Sequence, residues 1–355
     1  MPCSAQSIIR VVHIVVMGSA GVASLASPVR HLGASFERCR AAAPCIIRVV
    51  HIVVMGSGGV GGYFGAKLQR AGERVTMVAR GPHLEAIKRS GLAIRSAVEG
   101  DTVVRPAAVE RLEGVDRADA VLFCVKSFDT DDAAARLWSV LGPETPVLSL
   151  QNGVDNEDKI DAKLGAGRAM GGVAQVFATI ESPGVIRHQA AGRIIFGEMD
   201  GTVSERAERL RDAFARAAIP VELSKSIRRA LWEKYFLICA VAGTTAVTRE
   251  TIGVVRDTPA TWKLFRTIVE EIAAVARATG VDLAEDAVEQ IVKFGESIPP
   301  GNRASLAQDL LQGRRLELEA LHGHAARLGE RLGVPTPAIF AVYAALSPHA
   351  AGRRG

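Results

Sequence analysis

The feature that most constrains the fold is a glycine-rich turn placed between an apolar strand and a helix. An apolar run at residues 46–55 precedes the turn, and a helix is predicted at residues 63–71. Glycines at this spacing allow a tight turn, a close approach of the backbone to a pyrophosphate and packing of the helix on the strand. The free N–H groups at the start of the helix favour an anion. We therefore predict a dinucleotide site formed by Gly56, Ser57, Gly58, Gly59, Val60 and Gly61.

The strand that enters this turn occurs twice in the chain. Residues 8–19 (IIRVVHIVVMGS) recur unchanged at residues 46–57, 38 positions later. The first copy lacks two of the three spaced glycines, with Ala20 and Ala23 in their places, and no helical period follows it. We interpret residues 1–45 as an extension without its own fold, arising from a duplicated or misplaced start. A transit peptide remains the alternative, since the segment contains Arg and Ser and a single acid, Glu37.

Composition excludes several classes of protein. Hydrophobic residues make up 48% of the 355 residues and charged residues 23%, typical of a water-soluble globular chain with more than one domain. The net charge of +5 is spread among interleaved acids, so we expect no nucleic-acid partner. The five cysteines form no CxxC pair, and no apolar stretch reaches a membrane span unbroken. We expect a cytoplasmic protein with no metal site and no membrane contact.

The pattern of apolar segments changes along the chain. Up to residue 200, predicted strands (46–55, 75–79, 118–125, 146–150) alternate with predicted helices (63–71, about 83–90, 130–141), and shorter β-like runs follow between residues 169 and 196. Such alternation indicates a parallel sheet covered on both faces. Successive amphipathic helices follow, predicted at 204–217, 227–241, 259–279, 284–294, 305–332 and 336–346. The predicted fold is α/β: a Rossmann-type parallel sheet domain at residues 46–200, then an all-α domain at residues 201–350.

The end of the second strand bears on the choice of cofactor. An NAD-selective fold places Asp or Glu there to accept a hydrogen bond from the ribose 2′-hydroxyl, whereas this chain has Arg80. A guanidinium binds a 2′-phosphate, and a carboxylate would repel it. We therefore predict NADPH as the cofactor; the alternative is that Arg80 is an ordinary solvated arginine.

Four stretches together resemble the ketopantoate reductase (2-dehydropantoate 2-reductase) family over residues 46–346. They are MGSGGVGGYFGAKLQRAG with VAR after it, CVKSFDT, SLQNGVDNE, and the pair LWEKYFLICA and SLAQDLLQGRRLELEALHG. The resemblance implies an NADPH-dependent reductase of a small 2-oxo acid, with the substrate bound by the helical domain. A homodimer is a further expectation.

The resemblance also implies roles for individual residues. Lys126 and Asn152, each after an apolar strand, would line the nicotinamide and substrate cleft; a surface lysine and a turn asparagine are the alternatives. Lys234, within an apolar helix, matches the family's catalytic lysine, and desolvation would make its ammonium a better proton donor near neutrality; it could instead extend to solvent. Glu317 would orient Lys234, with a solvated helix face as the alternative. Ser305, twelve residues earlier, would contact the substrate and also fits a capping box with Gln308.

One departure from the family concerns the substrate. Ile238 and Ala242 occupy the positions four and eight residues after Lys234, where the family has asparagines that hold the substrate. The three positions share one helix face, so we predict an apolar substrate wall. The leading interpretation is reduction of ketopantoate or a related 2-oxo acid. The alternatives are a less polar 2-oxo acid and an NADPH-binding regulatory protein without turnover, against which the presence of Lys234 and Glu317 argues.

Overall fold

A computed structural model describes residues 49–353. The predicted extension at residues 1–45 lies outside this range, as do the first residues of the predicted opening strand. Within it, a mixed α/β domain precedes a helical domain, which confirms the predicted fold class.

Ten strands of the described chain form one sheet. They are β1 (His51–Met55), β2 (Arg74–Val78), β3 (Leu92–Ser96), β4 (Thr102–Val104), β5 (Ala107–Val109), β6 (Ala120–Phe123), β7 (Val147–Ser149), β8 (Ala169–Ser182), β9 (Val185–Glu198) and β10 (Val221–Leu223).

The central strands run parallel in the order β5-β2-β1-β6-β7-β8. This is the order of a dinucleotide-binding fold, in which the chain first adds strands on one side of β1 and then returns to add strands on its other side. The ligand crevice of such sheets lies outside the carboxyl ends of the strands at this switch point. β9 then pairs antiparallel with β8, and β3 and β10 add parallel to β9.

The helices of the first domain cover the sheet. They are α1 (Gly59–Arg70), α2 (Gly81–Ser90), α3 (Thr130–Ala135), α4 (Asn156–Leu164) and α5 (Glu205–Arg216). The strand residues of β1 and β6 are buried, because helices pack on both faces of the sheet. Burial on both faces explains why these strands read as continuous apolar runs rather than alternating ones.

The helical domain has its own core. Its helices are α6 (Ile227–Thr248), α7 (Ile252–Asp257), α8 (Pro259–Ala278), α9 (Ala287–Ser297), α10 (Ser305–Leu311), a π-helical turn (Glu319–Gly323), α11 (His324–Leu332) and α12 (Pro337–Leu346). The long helix α6 lies at its centre, with Tyr235, Phe236 and Cys239 buried against α8 and α12.

The boundary between the domains differs from the sequence prediction at residues 200 and 201. Helix α5 packs Leu210 and Phe214 into the core of the sheet, and β10 pairs with β9. The helical domain therefore begins near Ser226, just before α6. The amphipathic period of α5 predicts its buried face correctly, but it does not indicate whether that face meets a helix or a sheet.

Two further predictions of secondary structure were wrong in their extent. The short β-like runs between residues 169 and 196 belong to two strands of 14 residues each, joined as a hairpin. The predicted helix at 305–332 is broken, because Gly313 adopts a φ of +66° and the following segment bonds to the chain end, with Leu316 N–H donating to the Ala350 carbonyl. The break turns Glu317 away from a helix surface and into the interior, where it is 7% exposed.

Helix α6 is also the one helix of the described chain that is long and apolar enough to cross a membrane. About two thirds of its most apolar window, 67%, is buried inside the protein. Such burial is typical of the core helix of a globular domain.

Candidate active site

A cavity of about 890 Å³ lies between the carboxyl ends of the central strands and the helical domain. It brings together nearly all the residues predicted from the sequence: Gly56, Ser57, Gly58, Gly59, Val60, Arg80, Lys126, Asn152, Lys234, Ile238, Ser305 and Glu317. The switch point of the sheet forms one end of the cavity and helix α6 forms part of the other.

The three spaced glycines of the loop differ in what a side chain would meet at each position. Gly56 has a φ of +98°, and a Cβ there would lie 2.8 Å from the backbone nitrogen of Val125. Gly61 packs helix α1 onto the turn, since its Cβ would lie 2.1 Å from the Gly56 carbonyl oxygen. A Cβ at Gly58 would meet no heavy atom within 4 Å. The space in front of Gly58, at the amino end of α1, therefore fits the pyrophosphate of a dinucleotide.

The other residues of the loop are fixed by neighbouring strands. Ser57 is buried, and its hydroxyl donates to the carbonyl oxygen of Val78 at 3.0 Å. Gly59 faces the long hairpin, because its Cβ would lie 2.0 Å from the Ala178 carbonyl oxygen. The sequence pattern did not indicate this second requirement for glycine, which arises only when β8 crosses the loop.

Arg80 follows β2 and lines the cavity. Its side chain is 81% exposed and forms an ion pair with Asp129 at 3.2 Å. His83, which the sequence analysis did not single out, lies nearby: its Nε2 donates to the Ser57 carbonyl and its Nδ1 accepts from Gly184 N–H. These bonds require a neutral ring, and burial lowers the pKa of His83 accordingly.

Lys126 connects the two domains. Its Nζ lies 2.9 Å from Glu317 Oε2 and 3.0 Å from Asp309 Oδ2, and the other oxygen of Glu317 accepts from the Ser127 N–H at 2.9 Å. Burial alone would lower the pKa of Lys126, but the two carboxylates raise it above its ordinary value. Lys126 is thus held as a cation. Asp309 was missed in the sequence, although it lies within one of the stretches that resemble the family.

Lys234 projects from α6 into the same cavity and is partly buried. Within residues 49–353 its ammonium has no hydrogen-bond or ion-pair partner. Burial lowers the pKa of Lys234 to about 8, against the opposing charges of Glu317 and Glu157. Glu317 therefore acts on Lys234 through its charge. The hydrogen bonds of Glu317 go to Lys126 and Ser127, and the predicted contact with Lys234 is not formed.

Asn152 and Ser305 line the cavity from different domains. Asn152 follows β7, and its carbonyl oxygen accepts from the side chain of Asn156 at 3.0 Å, so the loop is fixed by its backbone. Ser305 is the first residue of α10, whose N-cap is Ala304, and no side chain caps this helix. The predicted capping box is therefore wrong, and the exposed hydroxyl of Ser305 is available to a ligand.

Ile238 and Ala242, the two positions at which this chain departs from the family, lie in different surroundings. Ile238 lines the cavity one turn beyond Lys234. Ala242 is 0% exposed and packs within the core of the helical domain, so it is not part of the cavity wall. The prediction that both positions form an apolar wall is therefore wrong for Ala242, and for Ile238 it stays a prediction about a residue that lines the cavity.

Comparison with known proteins gives two matching family models. Residues 52–201 match the model of "Ketopantoate reductase PanE/ApbA", and residues 226–350 match the model of its C-terminal domain. The 2-dehydropantoate 2-reductase of Mesorhizobium japonicum is 30% identical over 306 residues, covering 80% of this chain and 93% of the relative.

Solved structures of the same fold also match. A PanE/ApbA family ketopantoate reductase from Ralstonia eutropha is 36% identical, with a TM-score of 0.79 over 84% of this chain and 98% of that one. A D-mandelate dehydrogenase, solved with NADH and anilino(oxo)acetate, shares the fold at 23% identity, with a TM-score of 0.79, 84% of this chain covered and 98% of that one. A second structure of D-mandelate dehydrogenase, 22% identical to this chain, is also a complex with NADH.

Proposed function

The chain belongs to the ketopantoate reductase family, and from this we propose that it reduces 2-dehydropantoate, or a related small 2-oxo acid, to the 2-hydroxy acid with NADPH. The observation that carries the proposal is Lys234. Its ammonium has a pKa of about 8 and lies in the same cavity as the glycine loop. An acid with a pKa close to the working pH is suited to proton donation.

The residues of the cavity divide the reaction between them. The glycine loop binds the pyrophosphate, and the nicotinamide supplies a hydride when the cofactor is bound. Lys234 Nζ donates a hydrogen bond to the ketone oxygen and gives up its proton as the new C–H bond forms, so the electron pair of the carbonyl π bond ends in an O–H bond. The neutral amine then takes a proton from water. Glu317 keeps negative charge near Lys234 and so favours its protonated form.

Preference for NADPH over NADH rests on Arg80. Its guanidinium is exposed at the cavity mouth, where a 2′-phosphate would compete with Asp129 for it. A phosphate carries more charge than a carboxylate and accepts two parallel hydrogen bonds from arginine.

The experiment that tests the proposal is NADPH oxidation by the purified protein against a panel of 2-oxo acids. We expect turnover with ketopantoate or a close analogue, and slower turnover with NADH. Tight NADPH binding without turnover of any 2-oxo acid would instead support a regulatory protein.

A second candidate is reduction of a less polar 2-oxo acid, and Ile238 favours it. A site that hydrogen-bonds a substrate hydroxyl rejects the analogue without it by about 10⁴-fold or more, but isoleucine offers no such bond. We expect kcat/KM for ketopantoate and 2-ketoisovalerate, which lacks the hydroxymethyl group, to differ by only about 10-fold to 100-fold. Ile238→Asn should then favour ketopantoate. A wild-type preference of four orders of magnitude would contradict this candidate.

A further inference from the structure

The cations of the cavity differ in how far their charge is already compensated. Lys126 is bonded to Asp309 and Glu317. Arg314, with a side chain 65% exposed, lies 3.7 Å from the second oxygen of Asp309. Lys234 is needed at the ketone oxygen. A 2-oxo acid also carries a carboxylate, and burying that charge in the cavity requires a cation that is not already paired.

Arg303 meets this requirement. It precedes helix α10, lines the cavity and is partly buried. Within the described residues its guanidinium forms no ion pair and no hydrogen bond, and its Nε is shielded from solvent without a partner. A buried guanidinium nitrogen left unpaired is costly, so its retention at a cavity wall points to a ligand that satisfies it.

The surroundings of Arg303 suit a carboxylate. The exposed hydroxyl of Ser305 lies two residues along the chain and lines the same cavity. Phe294 and Ile298, from the same helical domain, add apolar surface to the lining of this cavity. A low-polarity wall strengthens the attraction between a guanidinium and a carboxylate, because less water competes for either charge.

We infer that Arg303 binds the carboxylate of the substrate through paired guanidinium–carboxylate hydrogen bonds, while Lys234 faces the ketone oxygen. The inference rests on the proposed function for the choice of a 2-oxo acid as substrate. In this arrangement the two cations bind the two ends of the 2-oxo acid group, and Lys126 with its two carboxylates remains a structural contact between the domains. The arginine would determine that acids, rather than neutral ketones, are accepted.

The test compares Arg303→Ala and Arg303→Lys with Arg331→Ala, an exposed arginine outside the cavity that serves as the matched control. We expect Arg303→Ala to raise KM for the 2-oxo acid by about 10-fold to 100-fold, the size of a lost charge-assisted pair, with a smaller change in kcat. Arg303→Lys should lie between, because it keeps the charge but not the paired bonds. KM for the corresponding 2-oxo amide should change little. An equal loss with acid and amide would overturn the inference.

Binding measured without turnover separates this inference from the proposed function. Oxamate, which is isosteric with a 2-oxo acid and is not reduced, is titrated calorimetrically into the protein with NADPH present. Binding that is lost in Arg303→Ala and kept in Arg331→Ala supports the inference even if no 2-oxo acid is turned over. Failure of the wild type to bind oxamate overturns it, as does equal binding by both variants. A weaker NADPH affinity in Arg303→Ala alone would place the arginine at the cofactor instead.

A thermal unfolding midpoint for each variant guards against misfolding. If Arg303→Ala does not fold, Arg303→Lys carries the test, with an expected rise in KM for the acid and none for the amide. An unchanged KM for the acid in a folded Arg303→Lys would then overturn the role of the paired hydrogen bonds.

Discussion

The two ends of the cavity are built in different ways. At the end that we propose for the cofactor, the consecutive residues from Gly56 to Gly61 form a turn at the amino end of helix α1. At the substrate end, Lys126, Lys234 and Glu317 come from three distant segments and act through charge. The glycine loop therefore tolerates little change in backbone shape, whereas the other end of the cavity depends on which charged side chains lie close to one another.

Two lysines at the substrate end show how burial and pairing compete. Lys126 has a side chain that is 44% exposed and Lys234 is partly buried, and the pKa of Lys126 is raised whereas that of Lys234 is lowered to about 8. Two carboxylates bond to Lys126, whereas none bonds to Lys234 within the described chain. The paired lysine therefore keeps its proton, and the unpaired one is able to give it up near neutral pH.

The largest effect is expected from Lys234→Ala, which removes the proposed proton donor. We expect kcat to fall by about 100-fold or more, the size of a lost general acid, with NADPH affinity nearly unchanged because the glycine loop is untouched. Steady-state kinetics and a fluorescence titration with NADPH measure the two quantities. Lys293→Ala, an exposed lysine on α9, is the control. An unchanged kcat would remove Lys234 from the mechanism.

A change at the cofactor end should leave chemistry intact and alter affinity. We expect Arg80→Asp to weaken NADPH binding by about 10-fold to 100-fold and NADH binding much less, because only the 2′-phosphate loses a charge-assisted bond and gains a repulsion. Dissociation constants for both cofactors test this. Equal affinities of the wild type for NADPH and NADH would show that Arg80 is only a solvated arginine.

The charge of Glu317 is expected to set the pH range of activity. Lys234 acts in its protonated form, so activity is lost as the pH rises through its pKa of about 8. Glu317 raises that pKa, and Glu317→Gln should therefore move the alkaline limb of kcat/KM to lower pH, with a loss of about 5-fold at pH 8. A stronger effect on KM than on the pH limb would indicate a structural role through Lys126.

The matched control for this change is Glu319→Gln. Glu319 is a surface carboxylate two residues away, which pairs with Arg327 and accepts from the Tyr343 hydroxyl. Glu319 is not among the described residues that line the cavity. Its pH profile should overlay that of the wild type. A shift of equal size in both variants would mean that the effect is not specific to the site.

The smallest effect is expected from removing residues 1–45. Their copied strand lacks the spaced glycines, so we expect neither end of the cavity to depend on it. A chain that begins at Ile46 should keep the unfolding midpoint, the NADPH affinity and the turnover of the full chain. Loss of cofactor binding would show that the extension is part of the fold.

The cofactor end was predicted well from the sequence because its signals are local. A strand, a spaced set of glycines and a helix are contiguous in the chain, so one local pattern predicts all three. The structure adds Gly59, whose need for glycine comes from the distant Ala178. Helix α6 was also indicated by its apolar pattern, and Lys234 and Ile238 by the family resemblance, whereas Ala242 lies in the core and not at the cavity.

From the sequence alone we predicted the class of fold, the glycine loop and four ionisable residues that the cavity brings together: Arg80, Lys126, Lys234 and Glu317. Tertiary structure alone decided their partners: Glu317 bonds to Lys126 instead of Lys234, and Asp309 and Arg303 enter the site beside them. The physical reason is the distance along the chain over which each kind of interaction acts. Backbone periodicity and turn chemistry act over a few residues, whereas charge pairing depends on distances that are fixed only when the helical domain folds against the carboxyl ends of the strands.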